Sequence, residues 1–249
     1  MSWGEKMSAK PDSLRVAAVG DLHIHQGSGD FFQSLFESIS QNADVLALCG
    51  DLTQLGLPAE AKRLASDLRT CRAPIVAVLG NHDYQSGHAE EVKEILRDAK
   101  VNVLEETETY ELKGVGFAGT KGFGGGFGKH MLTPFGEDAI KHFVGESVNE
   151  ALRLEVALNG LQTEKVVVVL HYSPIAQTVV GEPPEIFPFL GSSRLAETID
   201  QFDVNAIFHG HAHHGTFQGK TLKGVPVYNC CLQLMRQITP EQPYALVEV

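Results

Sequence analysis

The sequence predicts an α/β protein in which a parallel sheet is covered by helices. Three observations predict it. Short apolar runs of strand length recur, and several end at a Gly-Asp or Gly-Asn pair. Between these runs lie segments whose apolar residues fall at helical spacing. Over residues 15–99 the two kinds of segment alternate regularly, as parallel strands joined by crossover helices do.

The run at 15–19 ends at Gly20-Asp21. Residues 30–39 then read as a helix, with Phe32, Leu35, Phe36 and Ile39 at helical spacing and Asp30 as its N-cap. A second run, 44–49, ends at Gly50-Asp51. The helix expected at 58–68 carries Ala61, Leu64, Ala65 and Leu68 on one face. The third run, 75–79, ends at Gly80-Asn81-His82-Asp83, and 88–99 is again helical. Short strands are expected at 101–104, 109–112 and 115–118. The stretch 119–128, GTKGFGGGFG, reads as neither strand nor helix, but as a surface connection or a lid over a site. In the lid reading Phe123 and Phe127 stack on a base or aryl group, and Lys121 or Lys129 meets phosphate. A long amphipathic helix is expected at 138–158, with Ile140, Phe143, Val148, Leu152 and Val156 as its apolar positions. Strand 166–170 ends at His171, strand 205–208 at His209-Gly210-His211-Ala212-His213, and strands 225–228 and 244–249 close the chain. The proline-containing segment 183–188 reads as a stiff loop, a pocket wall or rim packing. No repeat or composition break divides the sequence. We expect one domain over 14–249, containing two sheets, behind a disordered tail at 1–13.

Hydrophobic residues make up 43% and charged residues 20% of the 249, ordinary values for a globular chain. The net charge of −11 and the lack of a Lys/Arg cluster argue against a nucleic-acid partner held by its phosphates. They leave open a small phosphate substrate met through bound metal. No apolar run approaches the roughly 20 residues of a membrane span, and the polar start MSWGEKMSAKPDS lacks the apolar core of a secretory signal. Cys49, Cys71, Cys230 and Cys231 form no CxxC pair, which fits reduced thiols and a cytoplasmic location. Cys49, inside an apolar run, reads as a small core residue.

Histidine is abundant, at 11 residues, and its placement carries the chemistry. Five strands end in polar residues of one kind: Asp21 and His23, then Asp51, then Asn81 and His82, then His171, then His211 and His213. Ligands of α/β sheets bind beyond the carboxyl ends of the strands. Seven of these residues, Asp21, His23, Asp51, Asn81, His171, His211 and His213, are too many for one ion with an open position. They suit two ions sharing a carboxylate. No cysteine belongs to this set, which argues against a closed structural zinc site, and mixed imidazole and carboxylate ligands suit Mn, Fe, Zn, Co or Ni.

These blocks, DLH at 21–23, GD at 50–51, GNHD at 80–83, the lone His171 and GHAH at 210–213, resemble the calcineurin-like metallophosphoesterases in kind and in order. The resemblance spans residues 21–213. It implies a four-layer αββα sandwich of two mixed sheets flanked by helices, with a dimetal site at the carboxyl ends of the strands. It implies that Asp21, His23 and His213 hold one metal, that Asn81, His171 and His211 hold the other, and that Asp51 bridges them. The implied reaction is attack of a metal-bridging hydroxide on a phosphate ester, most readily a phosphodiester or small nucleotide-like substrate. His82 is then the leaving-group acid or a donor to developing charge. The alternatives are a phosphomonoesterase or protein phosphatase, and a non-catalytic protein-binding scaffold on the same fold.

The sequence departs from the pattern at Gln54, where many relatives carry an Asp that supports this histidine. Asp83 is a substitute only if its side chain turns that way. His25 reads as a loop residue that could touch substrate or support the ligands. His209 and His214 read as supporting or structural, and His88, His130 and His142 as surface residues.

Overall fold

The computed structural model describes residues 13–249, so the tail expected at 1–13 lies, but for Ser13, outside the described residues. Along the chain β1 (Arg15–Val19), α1 (Phe31–Asn42), β2 (Val45–Cys49), α2 (Pro58–Asp67), β3 (Ile75–Val78), α3 (Ala89–Asp98) and β4 (Val101–Val103) alternate as the periodicity predicts. There follow β5 (Tyr110–Leu112), β6 (Val115–Thr120), α4 (Asp138–Gly160), β7 (Lys165–Leu170), α5 (Phe187–Leu190), α6 (Ser193–Ile199), β8 (Ala206–His209), β9 (Gln218–Lys220), β10 (Pro226–Asn229), α7 (Leu232–Ile238) and β11 (Ala245–Glu248). One sheet runs β11-β1-β2-β3-β4 and the other β5-β6-β7-β8-β10-β9. Neighbours are parallel except where β11 meets β1, β5 meets β6 and β9 meets β10. Both sheets are therefore mixed.

The strands read as continuous apolar runs because both of their faces are covered. Val16, Ala18, Ala47, Val76 and Val78 point between the sheets, where they meet Phe117, Val167, Val169 and Phe208. The alternate residues Ala17, Val19, Leu46, Leu48 and Ala77 pack on Phe36, Leu64 and Val92 of α1, α2 and α3. On the far side Val168, Leu170 and Ile207 pack on Leu154 and Leu158 of α4 and on Leu195 and Ile199 of α6. The result is the helix–sheet–sheet–helix order that the resemblance implies. Among the described residues no helix is long and apolar enough to cross a membrane, and the cysteines form no disulfide.

Several local expectations need correction. α4 buries Val144, Ala151, Leu154 and Leu158, whereas Ile140, Val148, Leu152 and Val156 lie on its exposed side. The buried face was hidden by its polar members. Glu150 is buried because its carboxylate accepts hydrogen bonds from Thr120 Oγ1 (2.5 Å), the Gly122 N–H (2.7 Å) and Arg153 (2.6 Å), which offset the cost of burying a charge.

The glycine-rich stretch is not a surface connection. Gly119 and Thr120 belong to β6, and Gly122, Gly124, Gly125 and Gly126 are buried. The Gly125 N–H donates to Pro188 O (2.6 Å) and the Gly126 N–H to Gly191 O (2.9 Å). A β-carbon on Gly124 would fall 2.6 Å from Pro188 O. Glycine is needed there for the close approach of two backbones.

Asp30 occupies the N-cap position of α1 without a side-chain capping bond. The short α5, α6, α7 and β9 have three to seven residues each, too few for periodicity to show.

Candidate metal centre

β1, β2 and β3 of the first sheet and β7 and β8 of the second end side by side, and the residues that follow them converge. Four of these residues, Asp21 (φ 56°), His23 (φ 48°), Asp51 (φ 49°) and His211 (φ 69°), adopt the left-handed conformation. That conformation is uncommon for residues with a β-carbon and persists where surrounding structure enforces it. Among the described residues Lys100 and Lys113 are the other non-glycine residues with positive φ, so the strained positions concentrate here.

The glycines preceding Asp51 and Asn81 have a steric reason. A β-carbon on Gly50, itself at φ +79°, would lie 2.6 Å from the His171 ring, and one on Gly80 would overlap the backbone N and carboxylate of Asp51. Gly80→Ala is therefore expected to displace Asp51, to cost about 1–3 kcal/mol by overpacking and to lower metal content. Thermal melts of the metal-free variant together with metal titration check this.

Asp21, His23 and His213 bring ligand atoms within 4.8 Å of one another, and so do Asp51, His171 and His211. The Asp21 carboxylate is fixed by the His211 N–H, which lies 2.9–3.0 Å from both oxygens, and sits 3.1 Å from His213 Nε2. Asp51 Oδ1 accepts from the His82 N–H at 2.8 Å and lies 3.3 Å from His171 Nε2. Asp51 Oδ2 is 4.0 Å from His23 Nε2. One carboxylate thus turns an oxygen to each cluster.

His171 Nδ1 is 2.9 Å from Cys49 O, leaving Nε2 directed at Asn81 Oδ1 (3.0 Å). A ring N–H given to a backbone carbonyl fixes the tautomer and frees the other nitrogen, as in metal-ligating histidines.

Whether these residues fit metal is answered by two observations. His23 buries both Nδ1 and Nε2 without a hydrogen-bond partner, a costly arrangement that a cation at either nitrogen would relieve. Burial also pushes His23 down to about 4 and His211 down to about 3, so both imidazoles are neutral at pH 7, the form that ligates. For Asp51, burial raises the carboxyl, with the charge of Asp21 adding to it and His171 opposing. Burial acts in the same direction on Asp21, but there the His213 hydrogen bond and the neighbouring imidazoles outweigh it and hold the carboxyl low. Two buried carboxylates beside the imidazoles of His23 and His211, whose charged forms burial disfavours, form a set that a positive ion completes.

His82 projects its ring toward the same centre. Its Nε2 is 3.9 Å from Asp51 Oδ2, and its ring stands edge-on to His23 at 4.5 Å between centroids. The partner of its Nδ1 is the backbone carbonyl of Gln54, at 2.7 Å. Residue 54 thus meets His82 through its backbone, a contact that the identity of its side chain does not signal. Asp83 does not substitute either. Its buried carboxylate accepts from the N–H groups of Leu52, Thr53 and Gly80 and from Thr53 Oγ1, at 2.6–3.1 Å, and so ties the β2 and β3 loops together.

The remaining histidines separate clearly. His25 is exposed, with Nδ1 accepting from the Gly27 N–H at 3.1 Å. His209 is buried between Gly210 O and Thr178 Oγ1. His88, His130, His142 and His214 are exposed. Lys121 directs Nζ to Gly122 O (2.8 Å) over the rings of Phe123 and Tyr172, and Lys129 is exposed.

Phe127 packs on Phe187 beside Val179 and Leu190. Phe123 belongs to a different set, with Phe143, Tyr172 and Phe189. Sequence reasoning placed only Phe123 of these at the site. Tyr172, directly after His171, was the one neighbour that position alone could have suggested.

A sandwich of two mixed sheets with Asp, Asn and His side chains gathered at the carboxyl ends of its strands defines a metallophosphoesterase fold. The chain belongs to the calcineurin-like phosphoesterase family, whose model matches residues 14–215. No curated protein sequence matches it. Among solved structures it resembles the phosphopantetheinyl hydrolase of Mycobacterium tuberculosis, with a TM-score of 0.66 and 16% identity over 96% of this chain and 97% of that one. It also resembles TT1561 of Thermus thermophilus, with a TM-score of 0.56 and 16% identity over 88% and 89% of the two chains. The purple acid phosphatase PPD1 of yellow lupin seeds aligns at a TM-score of 0.51 and 11% identity, over 82% of this chain and 38% of that one. At these identities the likeness is one of fold.

Proposed function

We propose that this chain is a dimetal hydrolase of small phosphate esters, acting as one unit over residues 14–249. The observation that carries the reading is the turning of the two Asp51 oxygens toward two separate ligand clusters. In this reading Asp21, His23 and His213 hold one ion, Asn81, His171 and His211 the other, and Asp51 both. Bound there, two ions would lower the pKa of water and draw charge from the phosphoryl oxygens. The chain's own residues do the rest. The His211 N–H orients Asp21, the Cys49 carbonyl orients His171, and the Gln54 carbonyl holds His82 with Nε2 facing the leaving oxygen.

The substrate we favour is a diester or small nucleotide-like ester. The ion-pair partners of Asp21 and Asp51 among the described residues are histidines, with no lysine or arginine. A singly charged diester asks less additional positive charge of such a site than a dianionic monoester. The same fold carries a phosphopantetheinyl hydrolase and a purple acid phosphatase, which supports the reaction class and leaves the substrate open.

Elemental analysis is expected to find two ions per chain. Chelation should abolish hydrolysis of bis(p-nitrophenyl) phosphate, and Mn²⁺ should restore it, with the diester preferred over p-nitrophenyl phosphate. Full activity in rigorously metal-free protein would overturn the reading.

A further inference from the structure

The ligand cluster opens on one side into a cleft of about 250 Å³ lined by Asn81, Phe123, Phe143, Tyr172, Phe189 and His211. Its aromatic walls are continuous. Phe189 lies 5.8 Å from Phe143, Phe143 4.9 Å from Phe123, Phe123 5.8 Å from Tyr172, and Tyr172 4.3 Å from the His211 ring, centroid to centroid. Phe123 of the glycine-rich stretch, Phe143 near the start of α4 and Phe189 of α5 meet there with Asn81, Tyr172 and His211 from the loops after β3, β7 and β8.

Two features set the cleft apart from ordinary core packing. Phe189 is 57% exposed at its lip, although a ring of this size gains by burial. Gly124 forms the floor, where a β-carbon would fall 3.1 Å from Phe143 Cζ. Another cavity, of about 480 Å³, is a poorer host for a phosphate ester, because Glu90, Glu105, Glu106, Glu108, Glu146 and Glu150 line it and outnumber Lys93, Lys121 and Arg153.

We infer that the cleft is a subsite for a planar aromatic group carried by the phosphate ester, seated against the wall formed by Phe123, Phe143 and Phe189 while the phosphate lies at Asn81 and His211. The inference rests on the phosphoesterase reading and names its substrate class. A cavity of about 150 Å³ already accepts benzene, so the space suits one aromatic ring with its substituents. Offset and edge-on contacts at 4.5–7 Å are the geometry that aromatic groups prefer. The ring comes either from a simple aryl ester or from a nucleobase.

Calorimetry on the metal-loaded protein with non-hydrolysable phosphonates tests this. Benzylphosphonate is expected to bind about tenfold tighter than methylphosphonate, and tighter than cyclohexylmethylphosphonate, because stacking adds to burial. The advantage should shrink about threefold or more in Phe189→Ala, which alters an exposed ring, and in Phe143→Leu, which keeps an apolar side chain. Methylphosphonate affinity should stay unchanged in both variants.

A thymidine 5′-phosphonate that binds at least as tightly as the benzyl compound makes the ring a nucleobase. Weaker binding makes it a simple aryl group, and either order upholds the subsite. Equal affinity for methyl and benzyl, equal affinity for cyclohexylmethyl and benzyl, or an undiminished advantage in both variants would overturn the inference alone. Failure of every phosphonate to bind would overturn the phosphoesterase reading and the subsite together.

Discussion

Asp51→Asn is expected to weaken both metal sites by at least about 100-fold, above the 10–100-fold that loss of a supporting partner costs. The amide keeps the shape of the carboxylate and can still accept the His82 N–H hydrogen bond, 2.8 Å long in the wild type. What it loses is the charge and the second anionic oxygen, 4.0 Å from His23 Nε2. Asn81→Ala should chiefly weaken the cluster containing His171, whose Nε2 is 3.0 Å from Asn81 Oδ1. Metal titration of both variants separates these outcomes. Equal losses at a single site in each would mean that Asp51 is no bridge. The metal-free Asp51→Asn protein should melt no lower than metal-free wild type, because the substitution removes a buried carboxylate whose charge burial disfavours. A large drop in melting temperature would instead assign the metal loss to misfolding.

His82→Ala is expected to cost about 10²–10⁴-fold in kcat/KM on alkyl esters, the range of a general acid, and far less on nitrophenyl esters, whose leaving group departs without a proton. Metal content should stay at the wild-type level. That control matters because His82 lies close enough to His23 and Asp51 to form a ligand set with them. Loss of an ion from the variant would make it a ligand, and equal impairment on both ester types would leave it a positioning or charge-stabilising role.

Gln54→Ala is expected to change these rates by no more than about twofold, because the contact to His82 Nδ1 comes from the backbone carbonyl and a carbonyl survives any substitution. A loss comparable to that of His82→Ala would show that the Gln54 side chain takes part after all.

The alternation of strands and helices up to β4 was legible because a strand buried on both faces must be apolar throughout, while its crossover helix must be apolar on one stripe only. Asp21, Asp51, Asn81, His171, His211 and His213 were legible for a related reason. Each follows an apolar run, and the end of a strand is the one place where a polar residue leaves the core without breaking the ladder. α4 was misread because the sequence offers two stripes. The one through Val148, Leu152 and Val156 is the more apolar, yet α4 buries the stripe that carries Glu150, since Thr120, Gly122 and Arg153 satisfy its carboxylate.

The sequence by itself determined the fold class and the residue types and order of the candidate site, since these depend on local periodicity and on which atoms can coordinate metal. Only the tertiary structure decided that the Gln54 backbone holds His82, that Asp83 turns inward, that the glycines at 122–126 are buried, and that Phe123 faces Phe143 and Phe189. Each of these is a contact between segments far apart in the chain. Such contacts are set by how the two sheets stack and how closely their connecting loops approach, and no local pattern encodes that.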